Sequence, residues 1–141
     1  MSYEQDLDDA ARSVVIVSPY LQKGRIVELL PSLQKAVASG VEIAIHTRTA
    51  ESGKLANQES VCEAIEMMRQ TGIVVHTHKE LNQRYAVVDE SVVWYGGVDF
   101  LAFGRKDTDV LRFKNPDIAG EFLSLSGHTE SEQLVMEDVS M

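Results

Sequence analysis

At 141 residues, 44% hydrophobic and 25% charged, the chain has the proportions of one globular domain with a core of its own. No apolar run approaches the roughly 20 residues that cross a bilayer, and the acidic opening MSYEQDLDDA lacks the basic-then-apolar order of a secretory signal. A lone cysteine, Cys62, excludes an internal disulfide, so a cytoplasmic protein with a buried structural thiol is expected.

The net charge of -9 weighs against nucleic acid, but its distribution matters more than its sum. Glu4, Asp6, Asp8 and Asp9 crowd residues 1–9, and Glu130, Glu132, Glu137 and Asp138 lie within 126–141. Without these eight of the 22 acids, 14 remain against 13 Lys and Arg, a near-neutral body that can still carry a local basic patch. The division expected from this pattern is an acidic N-terminal segment (1–9), a folded domain (10–125) and an acidic flexible tail (126–141).

In chain order, the continuous apolar run Val14–Val17 is the mark of a strand buried on both faces, and Pro19 ends it. From Gly24 to Ser39, Ile26, Leu29, Leu30, Leu33, Val37 and Ala38 recur at helical spacing, and Gly40 closes the helix. VEIAIHT from Val41 is a second strand, TAESGKLAN a polar loop, Gln58–Gln70 a second helix stopped by Gly72, and IVVHTH a third strand. Strand, helix, strand, helix, strand is an α/β plan with right-handed crossovers. YAVVD and SVVWY, joined by Asp89-Glu90-Ser91, then form a hairpin. DVLRF is a candidate further strand, and Pro116 starts a short helix, PDIAGEFL.

Strand residues two apart face one side, so Asn82 and Arg84 project together at the hairpin's entrance, and Asp89 lies at the far end of that strand. A pair at i, i+2 followed by an acid five residues on is the layout of H-x-K-x4-D. Here the sequence resembles the phospholipase D superfamily over most of residues 10–125, through SPYL, VVDESVVWYGG and DVLRFKNPDIA. The nearest likeness is to phospholipase D-like domains at the C-terminus of bacterial helicase-like or AAA-type ATPase proteins. The resemblance implies a single phospholipase D-like domain, a mixed β-sheet flanked by helices.

In that family a histidine attacks phosphorus, a second histidine protonates the leaving group, and lysine, serine and asparagine hold the phosphate oxygens. Carried over residue by residue, the motif is damaged. Asn82 stands at the nucleophile's place, and a neutral amide is neither nucleophile nor base. Arg84 replaces the lysine and keeps its charge; Asp89 and Gly96 match; Gly97 replaces the serine and Asp99 the asparagine. The resemblance therefore implies no intact catalytic residue, no cofactor and no metal.

Replacement of the nucleophile by His46, His76 or His78 is the less favoured alternative, because no Lys or Arg lies two residues after His76 or His78. His46 does share its face with Arg48. His128, in the tail, is read as inert. Arg84, with Arg48, Arg112 and Lys106, is the candidate phosphate-binding set. Trp94 and Tyr95 read as core and interface residues, and Met67-Met68 as packing.

Three functions follow as expectations. The favoured one is a non-catalytic module of a nucleic-acid-processing, helicase-like system, with weak backbone binding and an ATPase or helicase domain as partner. The others are an active phosphodiesterase or nuclease with a non-standard site, and a pure dimerisation module. The family builds its site from two motif copies and this chain carries one, so a homodimer through Tyr95, Val98 and Phe100 is expected, with no membrane association.

Overall fold

A computed structural model of the protein describes residues 2–97, 99–102 and 110–126. Val98, Lys106, His128 and the expected tail beyond residue 126 lie outside the described residues. Six strands, β1 (Ser13–Val17), β2 (Glu42–Arg48), β3 (Val74–His78), β4 (Tyr85–Val88), β5 (Val92–Gly96) and β6 (Val110–Lys114), form one mixed sheet in the order β3-β2-β1-β4-β5-β6. The first three run parallel and the last three antiparallel to their neighbours. This is the mixed α/β sheet expected from the strand-and-helix alternation and the hairpin.

Two clusters of apolar side chains hold the sheet, one per face, because successive strand residues point to opposite sides. On one face Val14 and Ile16 of β1, Ile43 and Ile45 of β2 and Trp94 of β5 pack under α1 (Tyr3–Asp9), α2 (Lys23–Ala38) and α3 (Leu55–Thr71). On the other, Val15, Val17, Tyr85, Val87 and Val93 pack under α4 (Pro116–Leu125), with Ala119 and Phe122 inward. The unbroken run Val14–Val17 is thus explained: each of its four residues is no more than 3% exposed.

Three local expectations change. Residues 1–9, set apart by charge, contain helix α1, whose Tyr3 and Leu7, one helical turn apart, enter the main core. Helix α3 begins at Leu55, inside the segment read as a polar loop, after a short 3-10 turn at Ala50–Ser52. Cys62 is exposed: the helix directs Ala64, Ile65 and Met68 inward, and that phase carries position 62 to solvent.

Candidate functional site

The register shows which chain ends meet. Val17 pairs with Tyr85 and Tyr85 with Tyr95, so the exit of β1, the entrance of β4 and the exit of β5 share one end of the sheet. The exit of β2 joins them, because Val17 also pairs with His46. Open α/β sheets place ligand crevices at such carboxyl ends, where connections diverge to either side. Asn82, Arg84, Gly97 and Asp99 lie at this end.

Their side chains are already engaged. Arg84 donates from Nε to Asp99 Oδ2 at 3.2 Å. The second carboxylate oxygen of Asp99 accepts from the Tyr20 backbone N–H at 3.1 Å and lies 3.4 Å from the Ser18 hydroxyl. Arg48 donates from Nη2 to Asn82 Oδ1 at 2.6 Å, from Nη1 to the Tyr20 hydroxyl at 2.7 Å and from Nε to the Leu81 carbonyl at 2.8 Å. Its guanidinium also lies 4.9 Å from the Tyr20 ring centroid. Arg48 therefore ties the β1 exit to the β4 entrance, with hydrogen bonds from all three nitrogens and a cation–π contact. Gly97 is exposed between β5 and this corner.

Two expected members of the site stand elsewhere. Asp89 lies about 15 Å from Arg84, by the rise of the intervening strand. It occupies a left-handed turn with Glu90, at φ 53° and 58°. Its carboxylate accepts from three consecutive backbone amides, Ala11, Arg12 and Ser13, at 2.7–3.1 Å. It pins the start of β1 and does not face the Arg84 corner. Arg112, on β6 opposite Trp94, makes a two-pronged ion pair with Asp6 at 2.7 and 3.1 Å on the α1 side of the sheet. A guanidinium pointed at a buried carboxylate under α1 is a structural clamp, so Arg112 does not join Arg84.

The three sheet histidines gather into their own cluster. His46 and His76 rings stack at 4.6 Å, His46 and His78 at 5.1 Å, and His46 Nδ1 lies 2.9 Å from His78 Nε2. Burial, then the charges of His78 and Arg69, hold the His76 pKa below the ordinary range. His46 is 4% exposed, which bars a phosphodiester from its ring. No group of His, Cys, Asp and Glu suited to a metal occurs among the described residues.

Of the dimer patch expected from Tyr95, Val98 and Phe100, the two described residues, Tyr95 and Phe100, pack on opposite sides of the sheet. Phe100 is buried against the Tyr3 ring at 5.0 Å, whereas Tyr95 faces Phe122 on the other side of the sheet at 5.5 Å. Tyr95 and its cross-strand partner Leu111 are both exposed, which leaves a smaller apolar surface there.

The residues missed in the sequence are Ser18 and Tyr20, which supply two of the contacts to Asp99. Their signal was the SPYL stretch at the end of a buried strand, which counted toward the resemblance and not toward the site.

No protein-family model and no curated protein matches the chain. Among solved structures it is similar to Nuc from Salmonella typhimurium, described as a phospholipase D family member, at 19% identity and TM-score 0.66, over 85% of this chain and 78% of that one. It is similar to NucT from Helicobacter pylori at 15% identity and TM-score 0.63, over 95% and 84% of the two chains. TrmBL2, an archaeal chromatin protein described as showing a novel mode of DNA binding, matches at 16% identity and TM-score 0.60. That match takes in 96% of this chain and 47% of TrmBL2. At these identities the shared property is the fold: the chain has the fold of these structures, among them the phospholipase D family member Nuc. No helix among the described residues is long and apolar enough to cross a membrane.

Proposed function

We propose that this chain is a non-catalytic module of phospholipase D fold that contacts a nucleic-acid backbone weakly, within a larger nucleic-acid-processing system of the helicase or ATPase kind. One observation carries the reading. At the corner where the resembled family does its chemistry, an amide (Asn82) replaces the nucleophile and an acid (Asp99) neutralises the one retained cation, Arg84. Carboxamides do not attack phosphorus. The histidine cluster offers no substitute, since its central ring is buried and bonded within the cluster. The nucleic-acid side of the proposal draws on the likeness to TrmBL2 and on the motif's resemblance, and the helicase-like setting on the resemblance alone.

The expected result is no hydrolysis of bis(p-nitrophenyl) phosphate or of DNA, and no phosphohistidine trapped on the chain. DNA affinity should be weak and fall with salt, at a slope near that of about two or three neutralised phosphates. Turnover that survives rigorous purification would restore the phosphodiesterase reading. A second reading, a homodimerisation module with no ligand, is favoured by exposed Tyr95 and Leu111 side by side on β5 and β6. Absence of DNA binding at low salt, with light scattering at twice the 15.6 kDa chain mass, would put that reading first.

A further inference from the structure

We infer that His46, His76 and His78 form a proton-operated latch: uncharged, they hold the edge strand β3 on β2, and their protonation in mild acid releases that strand and the acceptors of Arg48 with it. The inference goes beyond the proposed function, since it concerns the β2–β3 edge and needs no ligand.

The geometry limits how many protons the cluster can carry. His46 Nδ1 and His78 Nε2 are 2.9 Å apart. A bond at that distance needs one N–H and one lone pair, and a charged imidazole carries N–H on both nitrogens. With both rings charged, two N–H groups face each other and the bond is lost. The His76 ring stacks on His46 at 4.6 Å, so its charge too would stand close to the others. His46 is buried, where an added charge is costly.

The charged groups around the cluster, among the described residues, do not offset this. On β2, Arg48 lies opposite His78 by register. On α3, Arg69 donates to the Val75 carbonyl at 3.0 Å, and its charge reaches His76. Past the end of β3 come Lys79 and Glu80, both exposed, and Glu42 is exposed at the far end of β2. The close charges are cations and the acids are solvated.

Strand β3 is the element that gives way. It borders only β2 among the described strands, and Val75 is its one fully buried residue. Its release reaches the Arg48 corner by a short route. Thr49 N–H bonds to the His78 carbonyl at 3.0 Å. The segment that follows β3 carries the Leu81 carbonyl and Asn82 Oδ1, which both accept from Arg48.

The sign follows from His76, whose folded pKa is lowered by burial and then by His78 and Arg69. A histidine of this kind contributes stability that is fully present above the unfolded value of about 6.5 and is lost as pH falls below it. One proton resisted by the latched state weakens the latch about tenfold at one pH unit below that value. The Asp6 pair, a carboxylate held low, yields only in stronger acid.

The test measures native-state amide exchange, as protection factors, between about pH 7.5 and about pH 5.5, with 15N spectra of the histidine rings. Protection of residues 74–78 should fall about tenfold or more while that of β1 changes less than about twofold. The Arg48 Nε–H should exchange faster over the same range. His76→Gln removes the resisted charge, and His78→Gln removes the titrating partner of His46 while keeping a side-chain amide. Either should cut the fall in β3 protection to below about threefold; circular dichroism checks the fold, and if one variant unfolds the other decides. Unchanged β3 protection, equal loss in β1 and β3, or a fall that survives the substitutions would overturn the latch. So would ring spectra of the native chain that show His46 and His78 both charged while β3 stays protected, a result that needs no variant.

Discussion

Asp6→Ala should destabilise the protein by about 3 kcal/mol, one of the two largest effects expected of a single substitution here. Asp6 is 5% exposed and bonds to the Trp94 indole N–H and to two nitrogens of Arg112. The alanine leaves a buried indole donor without its acceptor and takes from Arg112 the carboxylate of its ion pair, and breaking such a pair costs more than making it gained. It also frees α1 from β5 and β6, since Asp6 joins that helix to residues on both strands. Asp6→Asn keeps one acceptor and should lose roughly half as much. Trp94 is the only tryptophan and touches the lost carboxylate, so urea unfolding followed by its fluorescence reads the change directly. A loss below about 1 kcal/mol would mean that Tyr3, Leu7 and the Glu4–Arg25 ion pair hold α1 without Asp6.

The same residue sets a pH dependence. Burial pushes the Asp6 carboxyl up, but hydrogen bonds from Arg112 and Trp94 outweigh it, and the net pKa is lowered. A depressed folded pKa contributes stability that is fully present above the unfolded value of about 3.9. That stability is lost as pH falls through the folded value. The native chain should therefore lose stability in acid more steeply than Asp6→Asn. Parallel acid profiles would contradict the assignment.

Asp89→Ala should cost about 2–3 kcal/mol. Three successive amides of residues 11–13 converge on this carboxylate, and the Asp89 N–H in turn bonds to the Ser13 carbonyl. Loss of the acceptor unpins the start of the central strand β1, and alanine at φ 53° adds backbone strain that aspartate tolerates better. Asp89→Asn, which keeps one oxygen and the left-handed preference, should recover about half of the loss. The weak DNA contact proposed for Arg84 should be unchanged by Asp89→Asn, because Asp89 and Arg84 flank opposite ends of β4. A substitution at 89 that altered DNA affinity as strongly as stability would place it in the site after all.

The elements and the sheet's mixed character were legible from local pattern. Four apolar residues in a row, two helical periodicities closed by glycine, and two β-branched runs around a three-residue turn each follow from short-range physics. The identities at positions 82 and 99 were equally legible, since no folding changes an Asn or an Asp. What tertiary structure alone decided is where each charge is spent. Carboxylates find their partners far off in sequence: Asp6 and Asp99 in ion pairs with Arg112 and Arg84, and Asp89 in hydrogen bonds from the backbone amides of residues 11–13. No periodicity encodes such distances. Thus an acidic leader became a core helix, two of the three arginines read as phosphate ligands became structural ties, and the motif's matching acid became the anchor of β1. A charged side chain gains most by pairing where the fold excludes water, and only the folded arrangement says where that is.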